Sequence, residues 1–181
     1  LNGDRRQAAV INFETFLISG TLLLSENKKL RPLHPILKDL GMTIEQIQEE
    51  IVHEFSMFED WMDKYSYLIE LGNDLKDLDP KDKNDQNLIK GCQSRVWLVA
   101  DIEDGKINFR GESDAVIVKG LVALLLRVVS GRTPKELLEA DLHFIDDIGL
   151  KQHLSPTRSN GLLAMVKQIR LYAVAYSKIE G

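Results

Sequence analysis

The sequence predicts an α+β domain in which helices pack on one side of a small antiparallel sheet. Three observations predict it. Apolar residues recur at helical spacing from Thr43 onward, the period then drops to two around residues 94–111, and a nearly all-apolar helical stretch follows from Ala115 to Val129. A helix of that last kind belongs at the centre of a domain, covered on most sides. With 181 residues, 44% hydrophobic and 28% charged, the chain is long enough to bury a core and ordinary enough in composition to be globular.

The elements follow in order. Thr43-Ile44-Glu45-Gln46 has the spacing of a capping box, and Ile44, Ile47, Ile51, Phe55 and Phe58 continue from it as one helical stripe. A second helix is expected from about Asp60 to Leu71, with Trp61, Tyr65, Leu68 and Leu71 on its apolar side and Gly72 as its stop. Residues 73–87, rich in Asn, Asp, Lys and Gln around Pro80, read as a solvated loop with at most a turn of helix. Val96, Leu98 and Ala100 alternate with Arg95, Trp97 and Val99, and Ile107 to Gly111 returns after the turn Glu103-Asp104-Gly105-Lys106, so 94–111 reads as a hairpin. Ser113 or Asp114 is expected to cap the central helix, and Gly131 to end it. Thr133-Pro134 starts a short helix and Phe144 to Ile148 another. Ser155-Pro156 starts a final helix reaching about Tyr176.

Residues 1–41 read differently. Two apolar clusters, Phe16 to Ile18 and Leu22 to Leu24, flank Ser19-Gly20-Thr21, and a basic stretch with prolines follows. Glu14 and the broken apolar run argue against a signal peptide, and the acids Asp4, Glu14 and Glu26 against a transit peptide. This segment is taken as an N-terminal extension of unknown role, native or appended, ahead of a domain over 42–181.

Several function classes are disfavoured at once. A net charge of −5 without a Lys/Arg block offers nothing to a phosphate backbone, so no nucleic acid is expected. The longest apolar runs, such as Leu121 to Leu126, fall far below the roughly 20 residues of a membrane span, so a soluble protein is expected, and a chain that can form no internal disulfide fits a reducing, cytoplasmic compartment. A single cysteine, Cys92, forbids an internal disulfide and a multi-thiolate zinc site. His34, His53, His143 and His153 are scattered without metal-ligand spacing, and no phosphate-cradling or dinucleotide glycine pattern occurs. Asp77, Asp79, Asp82 and Asp85 lack the central Gly and terminal Glu of a calcium loop. No resident metal or cofactor is expected.

The chemistry then rests on few groups. Cys92 lies in Lys90-Gly91-Cys92-Gln93-Ser94, between a polar loop and a strand, where Gly91 loosens the backbone and a rigid sheet can present a reactive tip. A lone cysteine is also a common inert core residue, and polar neighbours leave both readings open. Arg158 falls in the first turn of the last helix, where the helix dipole disfavours a cation by about 0.3–1 kcal/mol; such a placement suggests an anion or a partner carboxylate, and a merely solvated arginine is the other reading.

Three spaced motifs carry a resemblance. Gly91-Cys92-Gln93-Ser94-x-Val96-Trp97, Ser113-Asp114-Ala115-x-Ile117-Val118-Lys119-Gly120-Leu121 and Leu154-Ser155-Pro156-Thr157-Arg158-x-Asn160-Gly161 stand in order, supported by Asp60-Trp61 and Tyr67 to Gly72. Over about 43–173 the chain resembles the SufE family of sulfur acceptors. The resemblance implies the fold shared with IscU-type scaffolds, and Cys92 as the persulfide-bearing residue in a mobile 88–94 loop. Gly91, Gln93 and Ser94 would serve as its loop, and Arg158 as a supporting contact. It implies a pyridoxal-phosphate cysteine desulfurase of SufS type as sulfur donor and a SufBCD-like iron–sulfur scaffold as receiver, the cofactor belonging to the desulfurase. One cysteine is too few to ligate a cluster alone. The chain would act as a monomer or homodimer, an accessory rather than a stand-alone enzyme. Two other readings stand beside it: a hydrolase or acyltransferase using Cys92 with His143 or His153 as base, and a non-catalytic interaction module in which Cys92 is merely packed.

Overall fold

The computed structural model describes residues 41–179. The expected extension over 1–41 lies, apart from Gly41, outside the described residues. In chain order these form α1 (Ile44–Ser56), α2 (Trp61–Asp74), a turn of 3-10 helix (Pro80–Asp82), β1 (Val96–Glu103), β2 (Lys106–Ser113), α3 (Val116–Val129), α4 (Pro134–Glu139), α5 (Phe144–Asp147), α6 (Leu150–His153) and α7 (Pro156–Ser177).

Helix starts follow local chemistry. In α1, Thr43 Oγ1 accepts from Gln46 N at 3.2 Å and Gln46 Oε1 accepts from Thr43 N at 2.9 Å, which satisfies two orphan donors. Ile44, Ile47, Ile51 and Phe55 are buried. Phe58 lies beyond the helix but packs its ring 5.2 Å from that of Tyr67. Asp60 caps α2 through Asp63 N at 2.9 Å. Thr133 and Glu136 form a second capping box on α4, and Pro156 occupies the first turn of α7. The short α6 has no side-chain cap, and no sequence signal announces it.

Two expectations are corrected. Gly72 does not stop α2, which continues to Asp74. A Cβ at Gly72 would sit 2.8 Å from Gly120 N, and one at Gly120 only 2.1 Å from Leu68 O. These glycines let α2 and α3 cross backbone to backbone. Neither Ser113 nor Asp114 caps α3: its N-cap is Ala115, with no side-chain bond. Asp114 Oδ1 instead accepts from Arg95 N at 3.0 Å, and Ser113 Oγ donates to Arg95 O at 2.9 Å. The hairpin uses both residues, and β2 runs two residues past Gly111.

The antiparallel pair β1–β2 is in register from Val96↔Ser113 to Glu103↔Lys106. Asp104 and Gly105, at φ 50° and 71°, make the tight connection that matches strand twist. Val96, Leu98, Ile107 and Phe109 face the helices and join the core with Leu121, Leu124, Leu125 and Val128 of α3. The other face is not bare. The later part of residues 73–87, expected as a solvated loop with at most a turn of helix, is tied across it: Leu78 N and Lys83 Nζ donate to Glu112 at 2.9 and 2.6 Å, and Arg110 Nη1 to Asp82 at 2.9 Å. Leu88 then pairs with Trp97. On that same outer edge of β1, Tyr172 and Tyr176 of α7 donate their hydroxyls to Leu98 O and Ala100 O at 3.2 and 2.7 Å.

One charge is buried in the helical layer. Arg127, 3% exposed, donates to both carboxylate oxygens of Glu54 at 2.5 and 2.6 Å and to Glu50 at 3.1 Å. Tyr67 completes the group by donating to Glu54 at 2.8 Å, and burial pushes the Tyr67 phenol well above its ordinary range. Pairing of this kind is what makes a buried guanidinium tolerable.

Candidate functional site

Cys92 lines a cleft of about 600 Å³ formed where three pieces of chain meet. The first is its own segment. Leu88 is paired to β1 and Ile89 N donates to Val96 O at 2.8 Å, so only 90–94 stands clear of the sheet. Gly91 has φ +93°, a conformation any side chain would strain, and it turns the chain so that Cys92 points back toward the protein. Gln93 and Ser94 follow it along the cleft wall. The clasp of Arg95 on Asp114, with Nε to Oδ2 at 3.2 Å, ties the end of this segment to the start of α3.

The second piece is the first turn of α3, Ala115 to Val118, and the third is the start of α7, with Ser155, Thr157, Arg158, Gly161 and Met165. Neither helix carries an acid in its first turn, and neither N-cap side chain accepts from a backbone N–H of the turn it precedes. Ser155 Oγ is engaged with Thr157 Oγ1 at 3.2 Å instead. Two helix starts with unanswered N–H groups therefore border one cleft, and each favours negative charge there. Arg158 lies on the same wall, exposed, with no ion-pair partner among the described residues. The arrangement suits an anion.

The sulfur itself is half-buried. Cys92 Sγ donates to Gly161 O at 3.6 Å, and burial pushes the thiol pKa up. A carbonyl acceptor and partial desolvation both favour the neutral thiol. The sulfur is thus kept protonated at rest, in the same cleft as the amide donors that would favour its anion.

The residues singled out in the sequence divide clearly. Gly91, Cys92, Gln93, Ser94 and Arg158 are brought to one place. His143 and His153 are not: His143 bridges Asp147 at 2.6 Å and Glu45 at 2.9 Å, while His153 stacks on Trp61 at 3.7 Å and bonds Gly149 O. Neither borders the cleft, so the hydrolase reading lacks its base. Among the described residues no three of His, Cys, Asp and Glu gather as metal ligands. None of the described helices is long and apolar enough to cross a membrane. Sequence reasoning missed the carbonyl of Gly161 and the exposed Val116 at the rim. Both sit in the quoted motifs, but only folding shows that they share a cleft with Cys92.

Comparisons with known proteins point to one family. The family model described as "SufE: Fe-S metabolism associated domain" matches residues 49–173. An uncharacterized SufE-like protein of Rhizobium meliloti is 41% identical over 127 residues, 67% of this chain and 91% of that protein. The solution structure of a hypothetical protein from Thermus thermophilus superimposes with a TM-score of 0.61 at 21% identity, covering 73% of this chain and 96% of the other. That last likeness speaks to the fold alone.

Proposed function

Because the chain belongs to the SufE family of Fe–S metabolism proteins, we propose that it is a sulfur carrier. In this reading Cys92 takes sulfur as a persulfide from a pyridoxal-phosphate cysteine desulfurase of SufS type and passes it to a SufBCD-like iron–sulfur scaffold. Residues 42–181 form the sulfur-acceptor domain. The observation that carries the reading is the half-buried Cys92 at a cleft bordered by two uncapped helix starts and Arg158.

The transfer is a thiol exchange. The desulfurase offers R–S–SH, and Cys92 thiolate attacks the outer sulfur. The donor S–S bond breaks as the Cys92 S–S bond forms, the donor leaves as R–S⁻, and Cys92 becomes Cys92–S–SH. The sulfur moves with its valence unchanged, so no outside oxidant or reductant enters. Delivery repeats the step in reverse, an acceptor thiolate taking the outer sulfur and Cys92 leaving as thiolate.

The chain's own residues set the timing. At rest the bond to Gly161 O and the burial of Sγ keep the thiol neutral and slow to react. Docking of the donor displaces segment 90–94 from Gly161, and the sulfur then meets the first turns of α3 and α7 and Arg158. There the thiolate, and afterwards the persulfide anion, is favoured.

The test is direct. Incubation with a cysteine desulfurase and cysteine should add about 32 Da, one sulfur atom, to Cys92, and Cys92→Ser should abolish the adduct. No adduct on wild type across a panel of desulfurases would sink the carrier reading.

A further inference from the structure

Gly161 lies in the second turn of the long α7, buried, where glycine is among the weakest helix formers. Its backbone is helical, so no unusual φ requires it. What requires it is a neighbour. A Cβ built at 161 would lie 3.4 Å from Cys92 Sγ, 3.9 Å from Cys92 Cβ and 4.0 Å from Cys92 Cα. All three nearest heavy atoms belong to one residue. Ordinary carbon contacts begin at about 3.5–4.0 Å, and sulfur is the larger atom, so a methyl there would just touch the thiol.

We propose that Gly161 is a positioning residue for the cargo: its missing side chain is the room in which Cys92 carries a second sulfur while the loop stays seated. The proposal rests on reading Cys92 as a sulfur carrier. A persulfide places its outer sulfur about 2.05 Å beyond Sγ. With only a hydrogen at 161, that atom has room to turn along the wall of α7 into the cleft, which Val118 and Met165 also line. An alanine methyl leaves the single sulfur in contact and fills the space the second one needs. The loaded loop must then lift off Gly161 O and expose the persulfide to reductant. The unloaded thiol is barely affected, and α7 gains a better helix former.

The experiment loads wild type, Gly161→Ala and Cys92→Ser with inorganic polysulfide. Cys92 thiolate attacks a sulfane sulfur of the polysulfide and expels a polysulfide shorter by one atom, so the electron count closes without the desulfurase. After desalting, loss of the added sulfur to dithiothreitol is followed by mass spectrometry. Alkylation of the unloaded thiol by iodoacetamide is timed in parallel. The expected result is that Gly161→Ala loses its sulfur about tenfold faster than wild type while its thiol alkylates within about twofold of the wild-type rate, the size of effect that overfilling a packed site produces. Equal persulfide lifetimes would overturn the proposal. So would a rise in thiol alkylation by the same factor, since alanine would then merely unseat the loop. A wild-type protein that holds polysulfide sulfur but is never loaded by desulfurase and cysteine would sink the carrier reading, and with it the cargo role of Gly161, even where the two persulfide lifetimes differ as expected.

Discussion

Cys92 is held where its own chemistry is muted, and that state has a measurable pH signature. Burial raises the thiol pKa, so at neutral pH the free protein holds mostly S–H. Alkylation by iodoacetamide should therefore be slower than for an unstructured cysteine at pH 7, and should keep rising at pH values where an unstructured thiol, near 8.5, has already levelled off. A rate profile matching the free amino acid would show that the sulfur is not sheltered. Arg158 makes the complementary case. It stands in the first turn of α7 against the dipole, unpaired among the described residues. Arg158→Ala should leave the denaturation midpoint unchanged or raise stability by up to about 1 kcal/mol, while slowing sulfur loading from a desulfurase. A loss of both stability and loading would mean the arginine is structural. At this scale the sequence was only partly legible. The Gly91-Cys92-Gln93-Ser94 run marked the reactive tip, but the partner of its sulfur, Gly161 O, is 69 residues away, and no local pattern joins them.

At the scale of elements, what could be read depended on how local the cause was. Thr43 with Gln46, Thr133 before Pro134 and Ser155 before Pro156 all mark helix starts through causes confined to one turn, and each helix begins there. Gly72 misled because its reason is tertiary. It faces Gly120 across a helix crossing, and a glycine in that role looks the same in sequence as one that ends a helix. Ser113 and Asp114 misled in the same way, because Arg95 from the other strand's entry claims both. The crossing makes a sharp prediction. Gly120→Ala brings a methyl within 2.1 Å of Leu68 O, so α2 and α3 must separate. A loss of about 3 kcal/mol is expected in urea denaturation, at the upper end for overpacking. A change below about 0.5 kcal/mol would mean the helices part without cost.

For the whole molecule, stability rests on a core that reaches from the inner sheet face through α3 to the outer helices, plus two polar ties between elements distant in sequence. Arg127 joins α3 to α1 through Glu54 and Glu50, and its loss would leave two half-buried carboxylates side by side without their cation. Arg127→Ala should cost about 3–5 kcal/mol, whereas replacing the group together, as Glu54→Leu with Arg127→Met, should recover much of it. His143 ties α1 to α5 through Glu45 and Asp147, chiefly by its bond to Asp147, and this raises its pKa. A raised histidine pKa means the contribution is full below the unfolded value near 6.5 and fades as pH climbs through the higher folded value. Wild type should thus lose thermal stability between about pH 6 and 8 relative to His143→Gln, and parallel curves would contradict it. A last consequence comes from Tyr172 and Tyr176, whose hydroxyls occupy carbonyls along the outer side of β1. They act as a seal against self-templating: remove them, and the ribbon offers bare acceptors to the matching ribbon of another copy. Tyr172→Phe with Tyr176→Phe would therefore be expected to show its damage first as concentration-dependent clumping, visible by light scattering, before any change in sulfur handling.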